Sequence, residues 1–455
     1  MKLSTLASMG LLLTVLGTAQ AQFTYTNVNN STMITGYTGP GGAVVVPGTL
    51  GGAPVRSLGP QAFFLATSVN SILLPASVTN IASGAFSYCF DLLAINVNAG
   101  NPVYSSAGGV LFDASRDTLV QFPGGVTGDY TIPDSVTNIA TDAFYSTRIN
   151  EVTIPPTVTT IGPTAFASCL NLTAITVDPG NLYFLSVDGV LFDYSQSTLL
   201  QYPGNLNGPY AIPNTVLNIG PYAFQGSYGL TSVSIPASVT NTGYLPFFDC
   251  TALQAINVDP ANLFYSSING VLFDQAQTTL LNFPGGLNGS YVVPPGISSI
   301  GPEAFAYSPL ASITFPASLT NIQDYAFAYC DNLATATFLG NPPTFDNTAF
   351  VGDELLQFLY LPGATGWTSP LQSVPALLWN PVIQSSPTSP AVVNNKFGFT
   401  ITGTPGIDVE VQGSTNLASG LWVAAQTLTL TNGTANFSGP AVTNYPAAFF
   451  RLSTP

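Results

Sequence analysis

Apolar and polar residues alternate along most of the chain in short bursts broken by proline. In Leu230–Ile235, written L-T-S-V-S-I, Val233 and Ile235 take one side and Ser232 and Ser234 the other. That period of two is the signature of a half-buried strand. Pro236 follows and cannot donate to a ladder, so the strand ends there. A second short extended piece comes next, Ser238-Val239-Thr240-Asn241. The same plan recurs at 72–81, 152–161 and 313–322.

The bursts are periodic. The dipeptide Ala-Phe marks them, with its ring at Phe63, Phe86, Phe144, Phe166, Phe224, Phe305, Phe327 and Phe350, and a degenerate copy at Pro246-Phe247. Short steps, such as Phe63 to Phe86, alternate with long ones, such as Phe86 to Phe144, as far as Phe327. One short and one long step make a super-repeat, which carries Phe63 to Phe144, Phe224 and Phe305 in turn. No unit as short as one step can bury both its aliphatic face and its Phe, so each needs its neighbours, as in a solenoid. The long step carries an extra block, Asn101-Pro-Val-Tyr104 with Gly109-Val-Leu-Phe-Asp113 and Thr118-Leu-Val-Gln-Phe-Pro123. Copies start at Asn181 and Asn262, and the two apolar runs of each read as paired or stacked short strands. The loss of Ala at Pro246 predicts a local irregularity.

The pattern A-F-x-x-C-x-x-L-x-x-I-x-V, clearest over Ala165–Val177, followed by P-x-S-V-T-x-I, resembles the BspA-like, or treponemal-type, leucine-rich repeat. Ile34–Gly39 is similar to the opening of such arrays, and Leu359-Tyr-Leu-Pro362 with Trp367 to their closing cap. The resemblance covers about residues 23–380. It implies a curved solenoid of short parallel strands, used on bacterial surfaces for adhesion and protein contact. Beyond it, Phe399-Thr-Ile401-Thr-Gly403, Ser414-Thr-Asn-Leu417, Trp422 and Phe449-Phe-Arg-Leu452 resemble C-terminal immunoglobulin-like modules of secreted bacterial proteins.

The expected fold is therefore mainly β, a leucine-rich-repeat solenoid followed by a small β-sandwich. Lys2, the apolar Leu11–Leu16 and Ala19-Gln-Ala21 read as a secretory signal peptide over residues 1–21. The solenoid with its caps spans 22–380, a Pro/Ser linker 381–392, and the sandwich 393–455. No later stretch reaches the roughly 20 apolar residues a membrane span needs, so export without a membrane-spanning segment is expected.

Composition removes several chemistries. There is no histidine, so His-based triads, bases and metal sites are excluded. Six Lys and Arg against 21 Asp and Glu argue against nucleic acid as a partner. The single lysine of the mature chain, Lys396, has no Ser-x-x-Lys context. Asp113, Asp193 and Asp274 each end the same block, and Asp178 and Asp259 each precede a proline. Asp at such positions bonds nearby amides, so no catalytic, cofactor or metal role is assigned, and the protein is expected not to be an enzyme. Cys89, Cys169, Cys250 and Cys330 recur once per super-repeat, each three positions after a marker Phe. Equivalent positions several rungs apart are separated by more than about 14 Å, whereas a disulfide needs Cα atoms within about 7 Å. Four buried free thiols follow.

If the sheet lines the concave side, its outward positions include Glu151, Thr153, Thr176, Ser232, Ser234, Asn257, Ser312, Thr314, Thr335 and Thr337. They form a small, nearly uncharged face, either a solvated ladder or a flat surface for an extracellular protein or glycan. Tyr88, Phe90, Tyr145, Tyr228, Phe248, Tyr307 and Tyr329 cluster near the marker rings, either covering the core edge or standing exposed. The leading functional expectation is an exported, non-enzymatic binding or adhesion protein. Its rivals are a carbohydrate-binding or wall-associated scaffold and a polysaccharide hydrolase on a β-helix, which needs two carboxylates about 5–10 Å apart.

Overall fold

The computed structural model describes residues 22–385, 389–393, 396–441 and 449–454. The expected signal peptide, residues 1–21, lies outside the described residues. The chain divides into two compact units, at Gly270/Val271.

In the first unit, an antiparallel pair, Phe23–Val28 with Ser31–Tyr37, opens the array and passes to Ala53–Leu58 in parallel. Three parallel sheets of three strands follow. They comprise Gly42–Val45, Val69–Leu74 and Ala94–Val97; Gly128–Thr131, Ile149–Ile154 and Ala174–Val177; Gly208–Ala211, Leu230–Ile235 and Ala255–Val258. Past a bulge between Gly128 and Asp129 the coils stay in register: Thr131 pairs with Thr153 and Thr153 with Thr176. On the opposite side, Thr118–Gln121, Asn138–Ile139 and Thr160–Ile161 also run parallel. Between the two sets lies the core, with Val152, Ile154, Val158, Leu172 and Ile175 fully buried.

The marker rings stack in that core. Phe63 lies 5.7 Å from Phe86, Phe144 5.0 Å from Phe166, and Phe224 5.1 Å from Phe247. The stack also holds rings that the Ala-Phe rule overlooks. Phe122 is 5.1 Å from Phe144, and Tyr202 is 5.2 Å from Phe224. Each long step thus contains a further coil, whose ring is followed by proline and preceded by Gln121 or Gln201. Those glutamines fold back, each donating from Nε2 to two backbone carbonyls of its own turn and the next. The irregularity expected at Pro246 does not disturb the stack. Phe247 is buried and the Pro246 carbonyl accepts from Phe224 N at 2.8 Å, as the Ala165 carbonyl does from Phe144 N. A carbonyl is all that position must supply, and proline keeps it.

The extra block is a hairpin, Tyr104–Ala107 against Val110–Asp113, with the second strand continuing antiparallel to Thr118–Gln121. It sits against the last strand of its sheet: Ile95 N donates to Gly109 O at 2.8 Å and Val97 N to Ser106 Oγ at 3.1 Å. Gly109 has φ +83 and a Cβ there would lie 3.0 Å from that of Ala94, so small residues are required on both sides. The same arrangement recurs at Ala174/Gly189, with Ile175 N on Gly189 O and Val177 N on Ser186 Oγ. The hairpin therefore interrupts the parallel sheet after every third strand.

In the second unit, one parallel sheet runs through Gly289–Val292, Leu310–Phe315, Thr335–Phe338, Gln357–Tyr360 and Ala376–Leu378. Phe283, Phe305, Phe327 and Phe350 stack at 4.8, 4.6 and 5.0 Å. The C-terminal part is two antiparallel sheets. Lys396–Thr402 pairs with Thr434–Ala441, and Asp408–Ser414 lies between Val423–Thr429 and Phe449–Ser453. Phe399, Ile401, Val409, Val411 and Phe437 fill the space between them. The segment expected as a linker, 381–392, contributes sheet: Val382–Ile383 and Ala391–Val393 both pair with Lys396–Thr402. The Ser389 side chain lies within that stretch and accepts from Thr400 N at 2.9 Å. Leu359, Leu377 and Trp379 join the same core, and Trp379 Nε1 donates to Asp408 O at 3.2 Å.

Phe122→Ala is expected to destabilise as much as Phe144→Ala, each by about 3–5 kcal/mol, in urea unfolding followed by circular dichroism. A Phe122→Ala cost below about 1 kcal/mol would remove that ring from the stack.

Candidate functional site

The outward strand positions are distributed over three separate ladders. Glu151, Thr153 and Thr176 lie on one sheet of the first unit, and Ser232, Ser234 and Asn257 on the next. Ser312, Thr314, Thr335 and Thr337 lie on the sheet of the second unit. Glu151, Thr176, Ser234 and Asn257 are exposed, and Thr153, Ser232, Ser312, Thr314 and Thr335 half-buried. Thr337 departs from expectation, being only 3% exposed. Its register partner Leu359 belongs to the C-terminal core with Phe399 and Ile401, so that end of the face is covered. An unbroken strand face is likewise ruled out within the first unit, because the hairpins divide it.

The repeated acids are absorbed by local turns. Asp193 accepts from Thr198 N at 2.7 Å and from Ser195 and Ser197 Oγ, both at 2.7 Å. Partial burial alone would raise its carboxyl, but these hydrogen bonds outweigh burial and hold it below the usual range. Asp113 is set the same way by Thr118 N at 3.0 Å and Ser115. Asp274 accepts from Thr278 N and Thr279 N at 2.7 and 2.8 Å. Asp178 and Asp259 accept from the amides two residues on, both at 2.8 Å. Among the described residues no group of three His, Cys, Asp or Glu side chains is placed to hold a metal.

The four cysteines are free and buried. Each thiol donates to the carbonyl of the preceding marker Phe: Cys89 to Phe63 O at 2.9 Å, Cys169 to Phe144 O and Cys250 to Phe224 O at 3.0 Å, and Cys330 to Phe305 O at 3.1 Å. Burial pushes Cys89 and Cys330 up to about 12 and Cys169 to about 11, and raises Cys250 as well. They stay protonated and unreactive at neutral pH. Asp353 occupies the same slot in the final coil, its Oδ1 accepting from Cys330 N at 2.7 Å while Oδ2 has no partner in the structure. Burial, with Asp331 nearby, pushes this carboxyl up to about 7. It lines a cavity of about 510 Å³ whose walls include Phe345, Phe350, Glu354 and Val374.

The aromatic edge splits between the two alternatives. Tyr88 packs edge-on against Phe64, Phe90 and Tyr145, and its hydroxyl lies 3.0 Å from that of Tyr145. Tyr228 donates to Asp249 Oδ2 at 2.7 Å. Tyr307 and Tyr329 stand exposed and stack on each other at 5.2 Å.

Absent from the sequence reading is a set of exposed large apolar residues in the long block. Val103, Leu182, Tyr183, Leu263 and Phe264 all face solvent. The usable signal was the asparagine opening each block. Asn181 Nδ2 donates to Pro155 O and Val158 O, and its Oδ1 accepts from Tyr183 N and Phe184 N. A side chain anchored on both ends pins the residues after it and leaves two of them no room inside.

Coils closed by an aromatic turn and stacked through parallel strands define a leucine-rich-repeat solenoid. The family described as BspA type leucine rich repeat region (6 copies) matches residues 52–115, 122–208, 205–291 and 283–365. The chain belongs to that family. Among solved structures it is similar to a leucine rich cell surface protein from Faecalibacterium prausnitzii A2-165, at 25% identity and a TM-score of 0.35 over 76% of this chain and 94% of that one. A leucine-rich repeat protein from Eubacterium ventriosum ATCC 27560 is similar at 20% identity and a TM-score of 0.39, over 76% and 94%. The pneumococcal vaccine antigen PcpA is similar at 19% identity and a TM-score of 0.34, over 76% and 93%. A comparison with curated proteins returns no match. Among the described residues no helix is long and apolar enough to cross a membrane.

Two outcomes are expected. Alkylation with iodoacetamide labels no cysteine in the native chain and four after denaturation without reductant, read by mass spectrometry; fewer than four would reveal a disulfide. For Asp353, a folded-state pKa above the unfolded value near 3.9 means the folded chain holds the proton more tightly. Its stabilising contribution is complete below about pH 4 and is lost as pH rises to 7. Asp353→Asn should leave Tm unchanged at pH 4 and raise it by an increment that grows up to pH 7; a pH-independent difference would refute this.

Proposed function

We propose that this chain is an exported, non-enzymatic binding and adhesion protein working at the cell surface or outside the cell, with a protein as its partner. The observation that carries the reading is the family match, spread over residues 52–365 of a repeated, nearly charge-free coil. Such a coil has chemistry for contact: outward hydroxyls and amides such as Thr176, Ser234 and Asn257, with the hairpin acids Asp113, Asp193 and Asp274 committed to turns. The exposed Glu151, Thr176, Ser234 and Asn257, with the half-buried Thr153, Ser232, Ser312, Thr314 and Thr335 beside them, supply polar contacts in this reading. The opening segment, 1–21, acts as the export signal. The paired C-terminal sheets are an immunoglobulin-like module that displays or tethers the solenoid.

A second reading, glycan binding, draws on one feature, the exposed stack of Tyr307 on Tyr329, since flat rings are good supports for sugar faces. Surface plasmon resonance of residues 22–455 against a panel of extracellular-matrix proteins, run beside a glycan array, separates the two. Saturable binding to a protein is expected, weakened at least tenfold by the combined changes Thr153→Arg, Thr176→Arg and Ser234→Arg. Binding confined to glycans would overturn the protein-partner reading.

A further inference from the structure

We infer that the loops following Asn101, Asn181 and Asn262 form a repeated docking surface for a basic polypeptide that presents apolar side chains beside its Lys or Arg residues. This deepens the adhesion reading and rests on it, naming where the partner sits and what chemistry it carries.

The loops expose what folding normally hides. Leu182 is 70% exposed and Tyr183 52%, Leu263 77% and Phe264 49%, with Val103 at 36% in the first copy. A single exposed leucine needs no explanation. The same two positions after the same asparagine, once in each super-repeat, form a pattern. In the second copy the patch is enlarged, because Tyr194 N donates to Tyr183 O at 2.9 Å and Tyr194 is itself 55% exposed. The exposed rings, Tyr183, Tyr194 and Phe264, are of the aromatic class enriched at interfaces, and the leucines beside them add apolar area.

The loops are also held in shape. Asn262 repeats the four hydrogen bonds of Asn181: Nδ2 to Pro236 O and Val239 O, both at 2.9 Å, and Oδ1 from Phe264 N and Tyr265 N at 2.8 and 2.9 Å. Both asparagines are 1% exposed. Turning the apolar side chains inward would break a fully satisfied buried amide. The loop backbone thus needs no further ordering to meet a partner, and copies along one chain add avidity.

Charge selects the partner. Asp178 and Asp259, both exposed, stand four residues before Leu182 and Leu263, held by their bonds to Gly180 N and Ala261 N. The whole chain carries a net charge of −15. A second copy of this chain and an anionic bilayer are both repelled, whereas Lys or Arg next to an apolar side chain satisfies both features of the loop. The first copy is the weaker, with Pro102-Val103 as its apolar pair and Asn98 in the place of the acid.

The test uses residues 22–455 and a fluorescein-labelled synthetic peptide of alternating Leu and Lys pairs, read by anisotropy. Beside it run a Ser/Lys peptide of equal length and charge and phosphatidylcholine vesicles. The Leu/Lys peptide is expected to bind at least tenfold more tightly than Ser/Lys. Leu182→Ser, Tyr183→Ser, Leu263→Ser and Phe264→Ser together should weaken it at least tenfold, with Tm unchanged. Asp178→Asn with Asp259→Asn, which keeps the turn acceptor that Asn98 already supplies to Gly100 N, should weaken it less and flatten its salt dependence. Equal binding of Ser/Lys, capture of the vesicles, no Leu/Lys binding, or an unchanged affinity in the four-serine variant each overturns the inference. Loss of binding in the Thr153, Thr176 and Ser234 arginine variant, with binding kept in the four-serine variant, overturns this surface and leaves the adhesion reading standing. Absence of any protein partner in the matrix panel is the separate result that removes the adhesion reading itself.

Discussion

Between hairpins, each coil passes two things to the next at one place, a flat ring and a backbone carbonyl. Phe144 stacks on Phe166 at 5.0 Å while Phe144 N donates to Ala165 O at 2.8 Å. Phe305 and Phe327 repeat the arrangement at 4.6 Å with a bond of 2.8 Å. The ring spacing is close to the roughly 4.7–4.9 Å between hydrogen-bonded strands, so side-chain stacking and the backbone ladder impose one common rise. The cysteine slot adds a third link, since each thiol donates to the carbonyl of the ring behind it. No single contact here is large. Their coincidence on one residue per coil accounts for a flat ring, Phe or in one coil Tyr202, at each stacked marker position.

That common rise constrains everything inserted between coils. The hairpins cannot join the parallel ladder and instead close its edge, with Ser106 or Ser186 bonding the last strand. Their cost is the division of the strand face, which turns a long surface into short ladders. Their gain is projection: the loop before each hairpin stands clear of the coil and is fixed by an asparagine rather than by packing. The polar ladders and the apolar loops are thus products of the same insertion, one shortened by it and one created by it.

Much of this was legible from residues alone, for reasons that differ by position. The strands were readable because Val233 and Ile235 alternate against Pro236, and the unpaired thiols because their spacing forbids pairing. The coil around Phe122 was not, because the rule required Ala before the ring and the chain has Gln121 there. The signal available was that Phe122 to Phe144 repeats the short step from Phe144 to Phe166. Burial of Thr337 was hidden because it depends on Leu359 and the C-terminal sheets, a contact between distant stretches. Leu182-Tyr183 and Leu263-Phe264 carry no mark of exposure in the sequence, since large apolar residues mostly pack inside. Only the doubly anchored asparagine shows that their backbone is held outside. The stretch 381–392 lacks charge and is rich in proline and serine, which reads as a tether, yet its few apolar residues suffice for two short edge pairings.

The hairpins also bear on how the first unit comes apart. In a stack of like rungs, fraying at one end spreads rung by rung, since each depends only on its neighbours. Here every third rung ends at a serine-clamped edge, and the ladder beyond starts afresh with its own ring. Fraying is expected to halt at such a boundary. Pulling on the chain should then release it in blocks as long as the interval from Cys89 to Cys169, or from Cys169 to Cys250, rather than unravel it as a thread.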